Sequence, residues 1–221
     1  MTRLTAIAAL CLVLVAGGAY WLTAGSATPP DLPFAANAQD AGDVDTSSVV
    51  EMNRGNPDAP VTVIEYASFT CPHCADFHAN QFKKLKANYI DSGKINFIHR
   101  DVYFDRFGLW ASLVARCGGK DRYFGTISMI YDQQKEWIGS GDAVGIADRL
   151  RKIGVVAGLD GDQVDACLAD QDKAKTLVAW FQQNAEKHDI NSTPSLVING
   201  EKYSNMSYEE ISTIIDEKLA E

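Results

Sequence analysis

The period of the apolar positions changes several times along the chain, and each change marks an element. Val61-Thr62-Val63-Ile64-Glu65-Tyr66 is a β-branched run bounded by Pro57 and Pro60, which predicts a buried strand in spite of the acid inside it. Ala75, His78, Phe82, Leu85 and Tyr89 then recur at helical spacing until Asp91-Ser92-Gly93 stops the pattern. Ile95-Asn96-Phe97-Ile98-His99 predicts a second strand, and the strand, helix, strand order favours parallel pairing through a right-handed crossover. Between about residues 107 and 188 only helical periods occur, carried by Leu109/Leu113/Cys117, Phe124/Ile127/Tyr131, Ile146/Leu150/Ile153, Val164/Cys167/Leu168 and Ala174/Leu177/Phe181/Ala185. Glycine-bearing breaks divide this block, so four or five helices are expected. Ser195 to Tyr203 reads as a strand, an Asn199-Gly200 hairpin turn and a second short strand. A capping box from Ser207 to Glu210 opens a final helix with Ile211, Ile214, Ile215 and Leu219 on its inner side.

A different pattern occupies the N-terminus. Leu4 to Leu22 carries no charge, follows Arg3, and precedes Ala24-Gly25-Ser26-Ala27 and Pro29-Pro30. Residues 1–27 therefore fit two readings: a secretory signal cleaved near Ala19 or Ala27, or a retained anchor with Tyr20-Trp21 at the membrane interface. Both export the rest of the chain to an oxidising compartment, the periplasm in a bacterial cell. Residues 28–48, rich in Pro, Ala, Ser and Asp and without a period, read as a flexible linker, leaving 49–221 as one domain. Cys11 reads as a small hydrophobe of the apolar run.

The 221 residues carry 20 Lys+Arg against 29 Asp+Glu, a formal charge of −9. That balance supplies no basic footprint for nucleic acid. A chain of this length builds a core without staples, so its five cysteines each need their own explanation.

Cys71-Pro72-His73-Cys74 lies where the first strand gives way to the helix. A thiolate at Cys71 would face the free amides and positive end of that helix, Pro72 suits the first helical position, and His73 adds positive charge when protonated. In such a turn Cys71 is the solvent-facing nucleophile and Cys74 the buried resolving thiol. Ala75 stands where covalent haem would need His. Zinc on Cys71, Cys74 and His78 lacks a second cysteine pair, so neither a metal nor a cofactor is expected. His99 and His188 read as structural or solvated, and the two Asn-Xaa-Ser/Thr matches, at Asn191 and Asn205, read as chance.

The segment Glu65 to Cys74 resembles the active-site segment of DsbA-type bacterial thiol:disulfide oxidoreductases, and Thr193-Pro194 ahead of Ser195-Leu196-Val197-Ile198-Asn199-Gly200 resembles the cis-proline segment of that family. The resemblance runs over about residues 50–220. It implies an α/β architecture, a thioredoxin fold with an inserted helical domain at about 107–188. It also implies a cis Pro194 packed on the redox pair, Thr193 pairing its backbone with a substrate peptide, and Glu65 as a buried acid taking the proton of Cys74. An edge-exposed Glu65 and an ordinary X-Pro bond are the alternatives. Cys117 and Cys167 are either two separate thiols or a disulfide closing a loop of about 50 residues, worth roughly 4 kcal/mol on the chain-entropy model.

The expected activity is oxidation of thiols in reduced, exported proteins, with a DsbB-like membrane partner restoring the Cys71–Cys74 disulfide, and with the protein acting as a monomer. Thr193 stands where well-known oxidases of the family carry Val and isomerase-type relatives more often carry Thr. A reductase or isomerase kept reduced by a membrane donor, and a non-catalytic metal-binding or interaction module, are the other readings.

Overall fold

In a computed structural model of the chain, residues 44–221 are described; the expectations for residues 1–27, Cys11 and most of the linker lie outside them. The strand run at 61–66 is β2 (Val61–Ala67), and the second strand is β3 (Ile95–Asp101), paired with β2 in parallel. The helix between them, α1, covers residues 72–90 and contains two π-helical stretches, His78–Phe82 and Lys86–Ile90. The hairpin is β4 (Ser195–Ile198) and β5 (Glu201–Ser204), with Asn199 and Gly200 both at positive φ, as its tight turn requires.

Two elements depart from the sequence reading. A four-residue strand, β1 (Met52–Gly55), pairs antiparallel with β3 and completes a five-stranded sheet in the order β1-β3-β2-β4-β5. Only Met52 of this strand is buried, so no alternation announced it. The inserted block holds six helices among the described residues: α2 (Arg106–Cys117), α3 (Gly119–Asp132), α4 (Gln134–Ile138), α5 (Ala143–Val156), α6 (Gly161–Ala169) and α7 (Gln171–Lys187). The extra one, α4, has five residues, too few to show a helical period. The last helix is α8 (Tyr208–Leu219), and its capping box is formed.

Residues paired in register share a face of the sheet. Val63, Phe97 and Ile198 lie on one face and join the main core with Leu85 of α1, Ile127 of α3 and Ile215 of α8. Ile64, Tyr66, Ile98 and Val197 form the opposite face, against Phe181 of α7 and Ile190. There the Tyr66 hydroxyl hydrogen-bonds with His188 Nδ1 at 2.6 Å and accepts from Arg100, which also pairs with Glu51. His188 thus fixes the end of α7 from which the chain runs to Thr193. Cys117 and Cys167 are bonded to each other, joining the end of α2 to α6 across a separation of 50 residues. Among the described residues no helix is long and apolar enough to cross a membrane.

Candidate functional site

β2 ends in the loop Ser68-Phe69-Thr70, and Cys71 caps α1 with an extended backbone, φ −82° and ψ 120°, Pro72 following at the first helical position. Hydrogen bonds hold this loop in place. Cys71 N donates to Ser68 O, Thr70 Oγ1 donates to Asp105 at 2.6 Å, and Asp105 itself caps α2. From the insertion, the buried side chain of Gln134 donates to Phe69 O at 2.8 Å and to Cys71 O at 2.9 Å. Sequence reasoning missed Gln134, because a glutamine beside another glutamine has no local signature.

The two thiols are free and unequal: Cys71 is half-buried and Cys74 buried. The Cys74 thiol, hydrogen-bonded to the Cys71 sulfur, is the foremost cause holding Cys71 down at about 5; the Thr193 hydroxyl and the backbone amides of Cys74 and His73 add to it, against partial burial. At neutral pH Cys71 is therefore almost entirely thiolate. Burial pushes the Cys74 thiol far above the ordinary thiol range, and the charges of Glu65 and Cys71 reinforce it.

The peptide bond between Thr193 and Pro194 is cis, and Thr193 O lies 3.5 Å from the Cys71 sulfur, within reach of the thiol. Thr193 Oγ1 is buried and makes no conventional hydrogen bond, which leaves its hydroxyl available to a thiolate. Glu65 is wholly buried, with both carboxylate oxygens unpartnered. Burial raises it to about 7, the charge of His99 working against this and that of Cys71 with it. The edge-exposed alternative for Glu65 is thus corrected. His78, the third group weighed for zinc, is buried with Nε2 on Ser128 Oγ, and burial first of all pushes it down to about 3. His99 is fully buried against Tyr123 and Tyr131. The site therefore gathers Cys71, Cys74, Glu65 and Thr193-Pro194, with Gln134 behind the loop.

The thioredoxin family matches residues 47–217. A Rickettsia bellii protein named as a protein-disulfide oxidoreductase is 34% identical over 172 residues, covering 77% of this chain and 65% of the relative. A Rickettsia felis protein of the same name is 36% identical over 174 residues, 77% of this chain and 61% of that one, so the chain spans less than two thirds of the length of these relatives. Among solved structures, α-DsbA1 of Wolbachia pipientis superposes with a TM-score of 0.70 at 26% identity, covering 77% of this chain and 91% of its own. Fold, redox loop and sequence agree, and the chain belongs to the DsbA-type branch of the thioredoxin family.

Proposed function

We propose that the protein is an exported thiol:disulfide oxidoreductase that acts as an oxidase, passing its Cys71–Cys74 disulfide to thiols of reduced substrate proteins. The observation that carries this reading is the asymmetry of the pair, a stabilised thiolate at Cys71 beside a thiol at Cys74 that resists ionising. A substrate thiolate attacks the sulfur of Cys71, the S–S bond breaks, and Cys74 leaves and takes a proton from Glu65. The second substrate thiolate then attacks the substrate sulfur of the mixed disulfide, and Cys71 departs. A thiol of low pKa is the better leaving group, so the exchange runs toward the substrate disulfide. Thr193 would pair its backbone with the substrate as an added strand beside Pro194. Residues 1–27 would export the domain as a cleaved signal or hold it at the membrane, where a DsbB-type partner would reoxidise it. Thr193 favours a second reading, a reductase or isomerase held in the dithiol form by a membrane donor.

The redox potential of the full chain in glutathione buffers separates the two. Oxidase action requires a value near about −120 mV, and a value near about −270 mV would assign the reductase direction. Cys71→Ser should abolish oxidation of a reduced test protein, and retained oxidation would remove both readings.

A further inference from the structure

Where the chain enters β1, beside the end of α2 and the starts of α3 and α7, the described residues line a cavity of about 610 Å³. That size suits a small molecule better than a lone ion. Val49, Val50, Met52 and Leu177 give it apolar walls. Arg116, Lys120 and Lys173 bring positive charge to it, and Asp170 and Asp172 bring negative charge, leaving one cation in excess.

The three cations differ in what they already hold. Lys120 donates to Asn53 Oδ1 at 3.0 Å. Arg116, only 4% exposed, gives Nε to Asp101 at 2.7 Å and Nη1 to Val50 O at 3.0 Å, while its Nη2 has no hydrogen-bond partner. Nη2 is also closed to bulk water, so a donor on a charged group stands unmet, a cost that an acceptor entering the cavity would remove. Lys173 is half-buried, and its ammonium makes no ion pair among the described residues. Burial first of all lowers its proton affinity, Asp170 opposes this and the Arg116 charge adds to it, so the two cations act in one neighbourhood.

The acids do not neutralise this end of the cavity. Asp170 commits Oδ1 to the Lys173 amide as the cap of α7, and Asp172 is exposed. Their charge still limits how much negative charge can enter, which favours a monoanion over phosphate or sulfate. The positive end of α3, which has no side-chain cap, adds to the attraction.

We propose that this cavity binds a small organic monocarboxylate, its charged group between Arg116 and Lys173 and its aliphatic part against Val49, Val50, Met52 and Leu177. A carboxylate offers two acceptor oxygens, one for the arginine donor and one for the ammonium. The aliphatic part leaves water for the apolar walls. The site is built from the lead into β1 and from the insertion, and none of its residues takes part in thiol exchange, so it stands whichever direction that exchange runs.

The test is titration of the oxidised full chain with sodium hexanoate, followed by the amide chemical shifts of residues 48–52 and 172–177. Saturable shifts with a dissociation constant on the order of a millimolar are expected for a ligand of this size. Hexanol, which has the chain without the charge, and inorganic phosphate, which has charge without the chain, should each bind at least about tenfold more weakly. Lys173→Met keeps the length of the side chain and should weaken hexanoate by about tenfold, while Lys173→Arg should keep most of the affinity. Equal binding of hexanol and hexanoate, or of hexanoate by Lys173→Met and wild type, would overturn recognition of the carboxylate. Phosphate binding as tightly as hexanoate would overturn the monocarboxylate assignment, and no saturation by about 50 mM hexanoate would overturn the site itself.

Discussion

At the scale of single residues, Cys71 and Cys74 set each other's properties. The hydrogen bond from the Cys74 thiol is the first cause of the low Cys71 value, and the same bond, after burial, helps keep Cys74 protonated. Removing the donor without disturbing the helix should therefore move Cys71. In the reduced Cys74→Ala protein the Cys71 thiolate transition should rise from near 5 toward the ordinary thiol range, while Cys74→Ser, which keeps a hydroxyl donor, should hold most of the depression. Thiolate ultraviolet absorbance against pH measures both. Coincident curves for Cys74→Ala and wild type would show that the helix end and Thr193 suffice without Cys74.

At the scale of elements, the insertion meets the thioredoxin sheet through α4. Gln134 satisfies two carbonyls of the redox loop from 63 and 65 residues away, so a five-residue helix helps to fix where Cys71 sits. Gln134→Leu would take from Phe69 O its donor, while Cys71 O keeps the backbone amides of Cys74 and Ala75, and should cost about 1–3 kcal/mol. Denaturant unfolding reads this as a lower midpoint with an unchanged slope, and an unchanged midpoint would mean that the loop is held by Ser68 and Asp105 alone. This contact also shows why part of the molecule was hidden in the sequence. Cys71 with its helix end, the hairpin at Asn199-Gly200 and the capping box at Ser207 are local patterns, and each stands where its residues place it. β1 and α4 are too short for a period, and the Gln134 bond joins distant residues with no pattern linking them. His99 and Asp101 were partly legible. They continue the inward alternation of Ile95 and Phe97, as Glu65 continues that of Val61 and Val63, but the sequence reading ends the strand at His99, takes that histidine as structural or solvated and does not reach Asp101. What the alternation could not give was the tyrosines from α3, Tyr123 bridging His99 and Asp101 and Tyr131 bonding His99 alone.

At the scale of the whole molecule, the buried acid works against the stability of the fold. Glu65 gains no hydrogen bond from its surroundings, while Asp101 on the neighbouring strand is held by Arg116, Ser112 and Tyr123. The folded value of Glu65 is raised from 4.5 to about 7, chiefly by burial. A carboxyl whose folded value is raised contributes its stability fully below the unfolded value and loses it as pH climbs through the folded one. Between about pH 4.5 and 7 the unfolded chain releases this proton and the folded chain keeps it. The loss accumulates at about 1.4 kcal/mol per pH unit, roughly 3 kcal/mol in all. Glu65→Gln carries no such proton, so the stability of wild type relative to this variant should fall by that amount across the same window. Urea unfolding of the reduced proteins at a series of pH values measures the difference, and parallel curves would show that Glu65 ionises as an ordinary carboxyl. The Cys71 thiolate is among the causes that raise Glu65, and forming the disulfide removes that charge. In the oxidised protein the window should therefore narrow from its upper end, so that the redox state of Cys71 adjusts the proton affinity of the acid proposed to serve Cys74.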